Sequence, residues 1–438
     1  MAIELQSKRL SELAQNASRS FQFSDHEDVV FVNTGDVLNG EFLHKTYTSK
    51  VGLPGQAKKR IEKGDILFSE IRPANKRFVF VDIECADYVV STKFMTIQTK
   101  GEVLSKYLFY VLTSDAFLKN IQEIAESRSG TFPQITFDSI SHLQISYPTI
   151  NDQERIVRLM DAVNRMSRLT GKINQTLESI VQTIFKSWFV DFDPVKAKVE
   201  GRAPEGMDTK TAGMFPNKFE ESELGMIPDG WSVIELGSFL DVLESGKRPK
   251  GGVSKFKQGI PSIGAENILG IGLYNYAKTK YIPLEFFQTM KRGIIEVEDV
   301  LLYKDGGKPG VFRPRVSMFG YGFPYKKSVI NEHVFRLRSN VLGQYYLYFL
   351  IGSKQIMHDL AVRGGKAAIP GINQKEVRSL KFIKPTNDLI KHFNQLALPI
   401  GEQILHAAGQ NQTLANIRDT LLPKLISGEV KIRMEETQ

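Results

Sequence analysis

Cys85 is the only cysteine in the 438 residues. That excludes a disulfide framework and suits a reducing compartment, so a cytoplasmic protein is expected. Set in an apolar strand, the thiol reads as core rather than as a nucleophile. Seven histidines are scattered with no cysteine beside them, and no metal-ligand spacing arises. No apolar run approaches the roughly 18 residues of a membrane span, and the N-terminus lacks the apolar core of a signal peptide. Catalytic motifs are equally scarce. Gly246-Lys247, Gly307-Lys308 and Gly365-Lys366 lack the spacing of a phosphate-binding loop. There is no Gly-x-Ser-x-Gly elbow, no His-Glu-x-x-His pair and no dinucleotide-binding glycine fingerprint. Asp208-Thr209-Lys210 could seed a nuclease site, but it lies among glycines and prolines with no strand to hold a metal. The expectation is a chain that is no enzyme, with no catalytic residue, cofactor or metal of its own.

What is present is an ordinary globular composition, 42% hydrophobic and 24% charged, sufficient for roughly two to four domains. The net charge of +8 and pI near 9.2 favour an anionic partner such as nucleic acid.

The longest regular stretch runs from Asp152 to about Val190. Ile156, Leu159, Val163, Met166, Thr170, Ile173, Leu177, Ile180 and Ile184 fall at alternating three- and four-residue steps, the seam of a helix packed along one partner helix. Asn151 or Asp152 can cap it, and Pro194 stops it beyond an aromatic cluster at Phe185, Trp188, Phe189 and Phe192. A second stretch, Asn387 to Ser427, carries Phe393, Leu396, Ile400, Ala407, Leu414, Ile417 and Leu421 in a similar rhythm. Asn174-Gln175-Thr176-Leu177 recurs 237 residues on as Asn411-Gln412-Thr413-Leu414, and Pro133 with Pro370 and Pro148 with Pro385 keep the same offset. The chain therefore reads as a tandem duplication, each half a domain followed by a long helix. Gln403 and Gln410 weaken the second seam, and Pro399 is expected to kink it. A rod of this kind could dimerise between chains, but the duplication supplies a partner within the chain.

Around the rods an α/β (α+β) architecture is expected, with an internal pseudo-two-fold repeat. The expected divisions are a mixed domain at 1–150, a helix at 151–194, a connector at 195–225, a second mixed domain at 226–385 and a C-terminal helix at 386–431. The turn and buried strand at Glu62 to Phe68 are mirrored by Glu298 to Leu302, and the helical Tyr107 to Leu112 by Tyr345 to Leu350. The polar loop around Pro133 is mirrored by Gly364 to Ile372.

Positive side chains gather in the loops of both domains. Beside Lys58-Lys59-Arg60, Lys250 and Lys326-Lys327, the candidate DNA contacts are Arg72, Lys76, Arg77 and Arg128 in the first domain. In the second they are Lys247, Arg248, Lys304, Lys308, Arg313, Arg315 and Lys366. Interleaved glycine, proline and aromatic residues let backbone amides and cations approach phosphates, and arginine can clamp a guanine edge. Any one of these side chains could equally be a solvated surface charge; their recurrence at corresponding places favours the collective reading.

Four stretches carry a resemblance. They are Gln153-Glu154-Arg155-Ile156 leading to Ile173 through Glu178, the run Phe185 to Phe192, the opening Pro228-Asp229-Gly230-Trp231 through Leu236-Gly237, and the ending Leu421 to Glu429. Together they resemble the specificity subunit of a bacterial type I restriction–modification system, over nearly the whole length. Two features depart from the family pattern: the first domain lacks the Pro-x-Gly-Trp opening, and Glu298-Asp299 stands where a Gly-Asp turn is usual. The resemblance implies two target recognition domains, each reading half of a split, asymmetric site in double-stranded DNA, with antiparallel coiled-coil helices as a ruler between them. It also implies recruitment of two methylation subunits and of restriction subunits, with S-adenosylmethionine, ATP and magnesium held by those partners. In such an assembly Trp188, Phe189 and Phe192 would be docking anchors, or they would pack where the rod meets a domain.

Overall fold

The computed structural model describes residues 4–128, 132–366 and 369–432, except that the side chain of Arg128 lies outside the described set. The chain divides into two compact units, residues 1–166 with 414–438, and residues 167–413.

In the first unit one antiparallel sheet orders Ala14–Asn16, Phe94–Thr99, Ile66–Ser69 and Phe78–Phe80. A second sheet orders Thr48–Ser49, Asp28–Val32, Tyr88–Ser91 and Ala57–Arg60 around a parallel pair in which Val30 faces Tyr88. Gln6–Arg9 pairs antiparallel with Gln144–Tyr147. Ile66, Leu67 and Phe68 form a continuous apolar run because that strand is buried on both faces.

The second unit repeats this plan. Val242–Ser245, Val334–Arg338, Val300–Tyr303 and Val316–Met318 take the same order as the first antiparallel sheet. Lys280–Ile282, Ile260–Ile263 and Val329–Ile330 surround a second parallel pair, Ser262 facing Val329. Ser232–Glu235 pairs with Lys381–Lys384. The long central helix spans Ile150–Phe189 and the C-terminal helix Asn387–Ile426, so both ends are displaced by the same 237 residues. The duplication expected from three landmarks thus extends through the sheets.

The departure at Glu298 leaves the turn intact. Gly64 has φ of 96° and donates its amide to the Val81 carbonyl at 2.8 Å. Glu298, at φ 64°, donates to the Phe319 carbonyl at 2.8 Å. Its left-handed backbone is strained for a residue with a Cβ, and the Tyr345 hydroxyl holds it by donating to Oε1 at 2.9 Å. In both copies the following aspartate is buried and caps the turn: Asp65 accepts from the Glu62 amide at 2.8 Å and Asp299 from the Glu296 amide at 2.6 Å.

The helix seam needs correction. Met166, Ile173 and Ile180 are 57%, 42% and 44% exposed, whereas Ile156, Met160, Asn174, Val181, Phe185 and Trp188 are buried. The inward line passes through two polar residues that lie off the apolar seam. Asn174 donates Nδ2 to the Ile404 carbonyl at 3.1 Å, and Glu178 accepts from the Tyr348 hydroxyl at 3.1 Å. Within the second unit the two helices run antiparallel, since Asn174 meets Ile404 while Phe185 stacks edge-on against Phe393 with ring centres 5.5 Å apart. The C-terminal helix continues unbroken through Pro399. At Gly401 a Cβ would lie 1.9 Å from the Tyr345 ring, so a residue that normally weakens a helix is here the one that fits.

Candidate nucleic-acid interface

In both units the loop that follows the buried strand, Ile66–Ser69 or Val300–Tyr303, is stitched to the segment around the repeated proline. In the first unit Ile71 bridges Gln134, and Arg72 donates its amide to the Pro133 carbonyl at 3.0 Å. Arg72 and Lys76 both adopt left-handed backbone, with φ of 45° and 53°, around a single 3-10 turn at Pro73–Asn75. In the second unit Asp305 bridges Gly371, Gly306 donates to the Pro370 carbonyl at 2.9 Å and Ile372 to the Lys304 carbonyl at 2.7 Å. A Cβ on Gly371 would sit 2.6 Å from that of Asp305, so the close approach requires glycine.

Several of the basic side chains are bonded within the chain, and others are exposed. Arg77 donates Nη1 to the carbonyls of Gly35 and Val37, each at 2.9 Å, and straps that loop down. Lys76 pairs with Asp115 at 2.9 Å and Arg248 with Glu332 at 2.8 Å. Arg315 donates Nη2 to the Ala265 carbonyl at 2.9 Å, with its guanidinium 4.7 Å over the Tyr303 ring. Lys304 lies 3.4 Å from Asp305 and 5.2 Å from the centre of the Phe335 ring; Asp305 also bonds His333. Arg72 is exposed, its guanidinium 6.0 Å from the centre of the Phe132 ring. Lys247, Lys308, Arg313 and Lys366 are exposed, and their side chains enter no ion pair or hydrogen bond among the described residues. The Arg128 side chain lies outside the described residues. Lys59 is diverted inward: its ammonium donates to the Phe94 carbonyl at 2.6 Å, and burial holds its pKa below the ordinary lysine value.

Of the two roles expected for the aromatic cluster, docking or packing, the packing one is visible in the structure. Trp188, Phe189 and Phe192 are all buried in the core of the second unit. Trp188 stacks on His392 at 6.1 Å, Phe189 packs against Tyr346 at 5.1 Å, and Phe192 stands edge-on to Trp231 at 5.7 Å. Two other sequence features resolve structurally. Cys85 lies outside any strand, ahead of Tyr88–Ser91, contrary to the expected apolar strand, but it is buried, and burial pushes its thiol up to about 11. Asp208 is a helix cap that accepts from the Thr211 amide at 2.9 Å.

Sequence reasoning missed two sets of residues. One is the exposed apolar line Leu169, Ile173 and Ile180 on the central helix. The other is Phe132 and Ile369, each exposed immediately before a repeated proline; the offset of 237 residues would have paired them. Among the described residues no group of histidine, cysteine, aspartate or glutamate is gathered as a metal site, and no helix is long and apolar enough to cross a membrane.

The family described as the type I restriction modification DNA specificity domain matches residues 3–179 and 228–390. The specificity subunit of type I restriction enzyme HindI from Haemophilus influenzae is 34% identical over 474 aligned positions, covering 96% of this chain and 98% of that one. The MjaIX specificity subunit from Methanocaldococcus jannaschii is 23% identical, covering 97% and 92%. A crystal structure of the type I restriction–modification S subunit from M. genitalium shares the fold at a TM-score of 0.52 with 14% identity, covering 99% of this chain and 97% of that one.

Proposed function

We propose a function from one premise: the chain belongs to the type I restriction–modification DNA specificity family. It is a DNA sequence-recognition subunit with two recognition domains. Each unit reads one half of a split DNA site through the paired loops around Pro133 and Pro370. The observation that carries this is the repetition of one loop pairing, Arg72 to Pro133 and Gly306 to Pro370, with different side chains mounted on it. A shared frame with divergent filling suits one task performed on two different sequences.

The chain performs no chemistry itself. Two methylation subunits hold S-adenosylmethionine, restriction subunits bring ATP and magnesium, and the assembly works in the cytoplasm. Docking of the methylation subunits falls to the exposed apolar line Leu169, Ile173 and Ile180, because apolar side chains kept in water at helical spacing mark an interaction face.

Purified chain, incubated with S-adenosylmethionine and DNA, is expected to leave the DNA unmodified. Adding its methylation subunit should produce methylation at one split motif. Methylation or cleavage by the chain alone, after contaminants are controlled for, would overturn this reading.

A further inference from the structure

In each unit the side chain just before the repeated proline is large, apolar and turned into solvent. Phe132 is 64% exposed and Ile369 79%, and they stand one repeat apart. Their bases are firmly placed. Pro133 and Pro370 are buried, and their carbonyls accept the loop amides of Arg72 and Gly306 at 3.0 and 2.9 Å. Farther along, Ile135 and Ile372 plug into the two cores. A residue preceding proline is restricted to extended backbone, so both side chains project from a fixed platform.

Their surroundings narrow what they can meet. The Arg72 guanidinium lies 6.0 Å from the centre of the Phe132 ring, and Lys366 is exposed three residues before Ile369. A phosphate offers charge and hydrogen-bond acceptors, neither of which an apolar side chain can use. A base face or a thymine methyl group offers the contact it can make. Resting on the reading of both units as DNA readers, we propose that Phe132 and Ile369 are the uncharged base contacts of the two half-sites, while neighbouring cations hold the flanking phosphates. A flat ring and a branched aliphatic chain differ in shape, so the two halves favour different bases at this position.

The test uses Phe132→Ala, Phe132→Leu and Ile369→Ala chains, each assembled with the methylation subunit. Methylated sites are sequenced, and binding is measured over a salt series on duplexes varied one base pair at a time. Phe132→Ala should lower discrimination about tenfold at one position of one half-site, within the cost of a single mismatched base pair. The salt slope should stay unchanged, because no phosphate contact is lost. Phe132→Leu should retain more of the discrimination, and Ile369→Ala should act on the other half-site alone. Wild-type preferences in both alanine variants, or a uniform loss of affinity for every sequence, would overturn the assignment. Should the wild-type assembly methylate no split motif, the reading of the units as DNA readers fails first, and this inference falls with it.

Discussion

Glu178 illustrates how a single side chain on the central helix trades stability for a polar contact. Burial raises its carboxyl above the ordinary 4.5, although the donating Tyr348 hydroxyl pulls the other way. A carboxyl raised in the folded state contributes stability below its ordinary pKa, and that contribution is lost as pH rises through the folded value. Glu178→Gln removes the titration and keeps an oxygen for Tyr348. We expect a higher melting temperature near pH 7, at about 2–4 °C for each kcal/mol gained, and no gain below about pH 4, where glutamate is already neutral. An equal gain at both pH values would show that the charge is not the cause. Some residue roles were legible in sequence and some were not. Cys85 was readable as core from the apolar runs Phe78 to Val81 and Tyr88 to Val90 on either side, although Glu84 and Asp87 beside it are charged. Trp188, Phe189 and Phe192 were not, since an aromatic cluster suits docking and packing alike. Their roles are decided by His392, Tyr346 and Trp231, all more than 35 residues away. The intrachain bonds of Arg77 were not legible for the same reason, its acceptors lying at Gly35 and Val37.

At the scale of the element, the central helix was legible in extent and partly in phase: Ile156, Leu159, Leu177 and Ile184 pack inward, whereas Met166, Ile173 and Ile180 do not. An alternating three-and-four pattern locates a helix, but Val181, Phe185 and Trp188 set a second inward line one position away that the pattern does not single out. Asn174 and Glu178 face inward because carbonyl and hydroxyl partners await them, which periodicity alone cannot reveal. The outward line is therefore available for binding. Ile173→Glu combined with Ile180→Glu should leave the circular dichroism spectrum and melting temperature close to wild type, because both side chains are already partly in water. Capture of the methylation subunit should weaken roughly tenfold or more, as expected when central apolar anchors are replaced by charge. Undiminished capture in a pull-down or by calorimetry would remove this face from consideration.

For the whole molecule, the duplication was written in the sequence because a fixed offset survives divergence of the side chains. The composition of the units was not. The first unit is completed by residues that lie beyond the second, and Leu422 and Leu425 are buried in one core with Leu10, Tyr107, Ile156 and Met160. Leu422→Ala with Leu425→Ala should cost about 2–5 kcal/mol at each site. Hydrogen exchange should then speed up in Gln6–Arg9 and Gln144–Tyr147 while Val300–Tyr303 and Val334–Arg338 keep their protection. Equal loss in both sets would mean that the core is not divided in this way.

This arrangement has a consequence for synthesis. The 247 residues from 167 to 413 must emerge before Leu422 and Leu425 exist, a wait of roughly 12–50 s at about 5–20 residues per second. During that interval Ile156 and Met160 lack two of the side chains that will cover them. The half of the protein translated earlier is thus the half that closes later. Its exposure to chaperones and to neighbouring nascent chains is set by the speed of the ribosome through the other half.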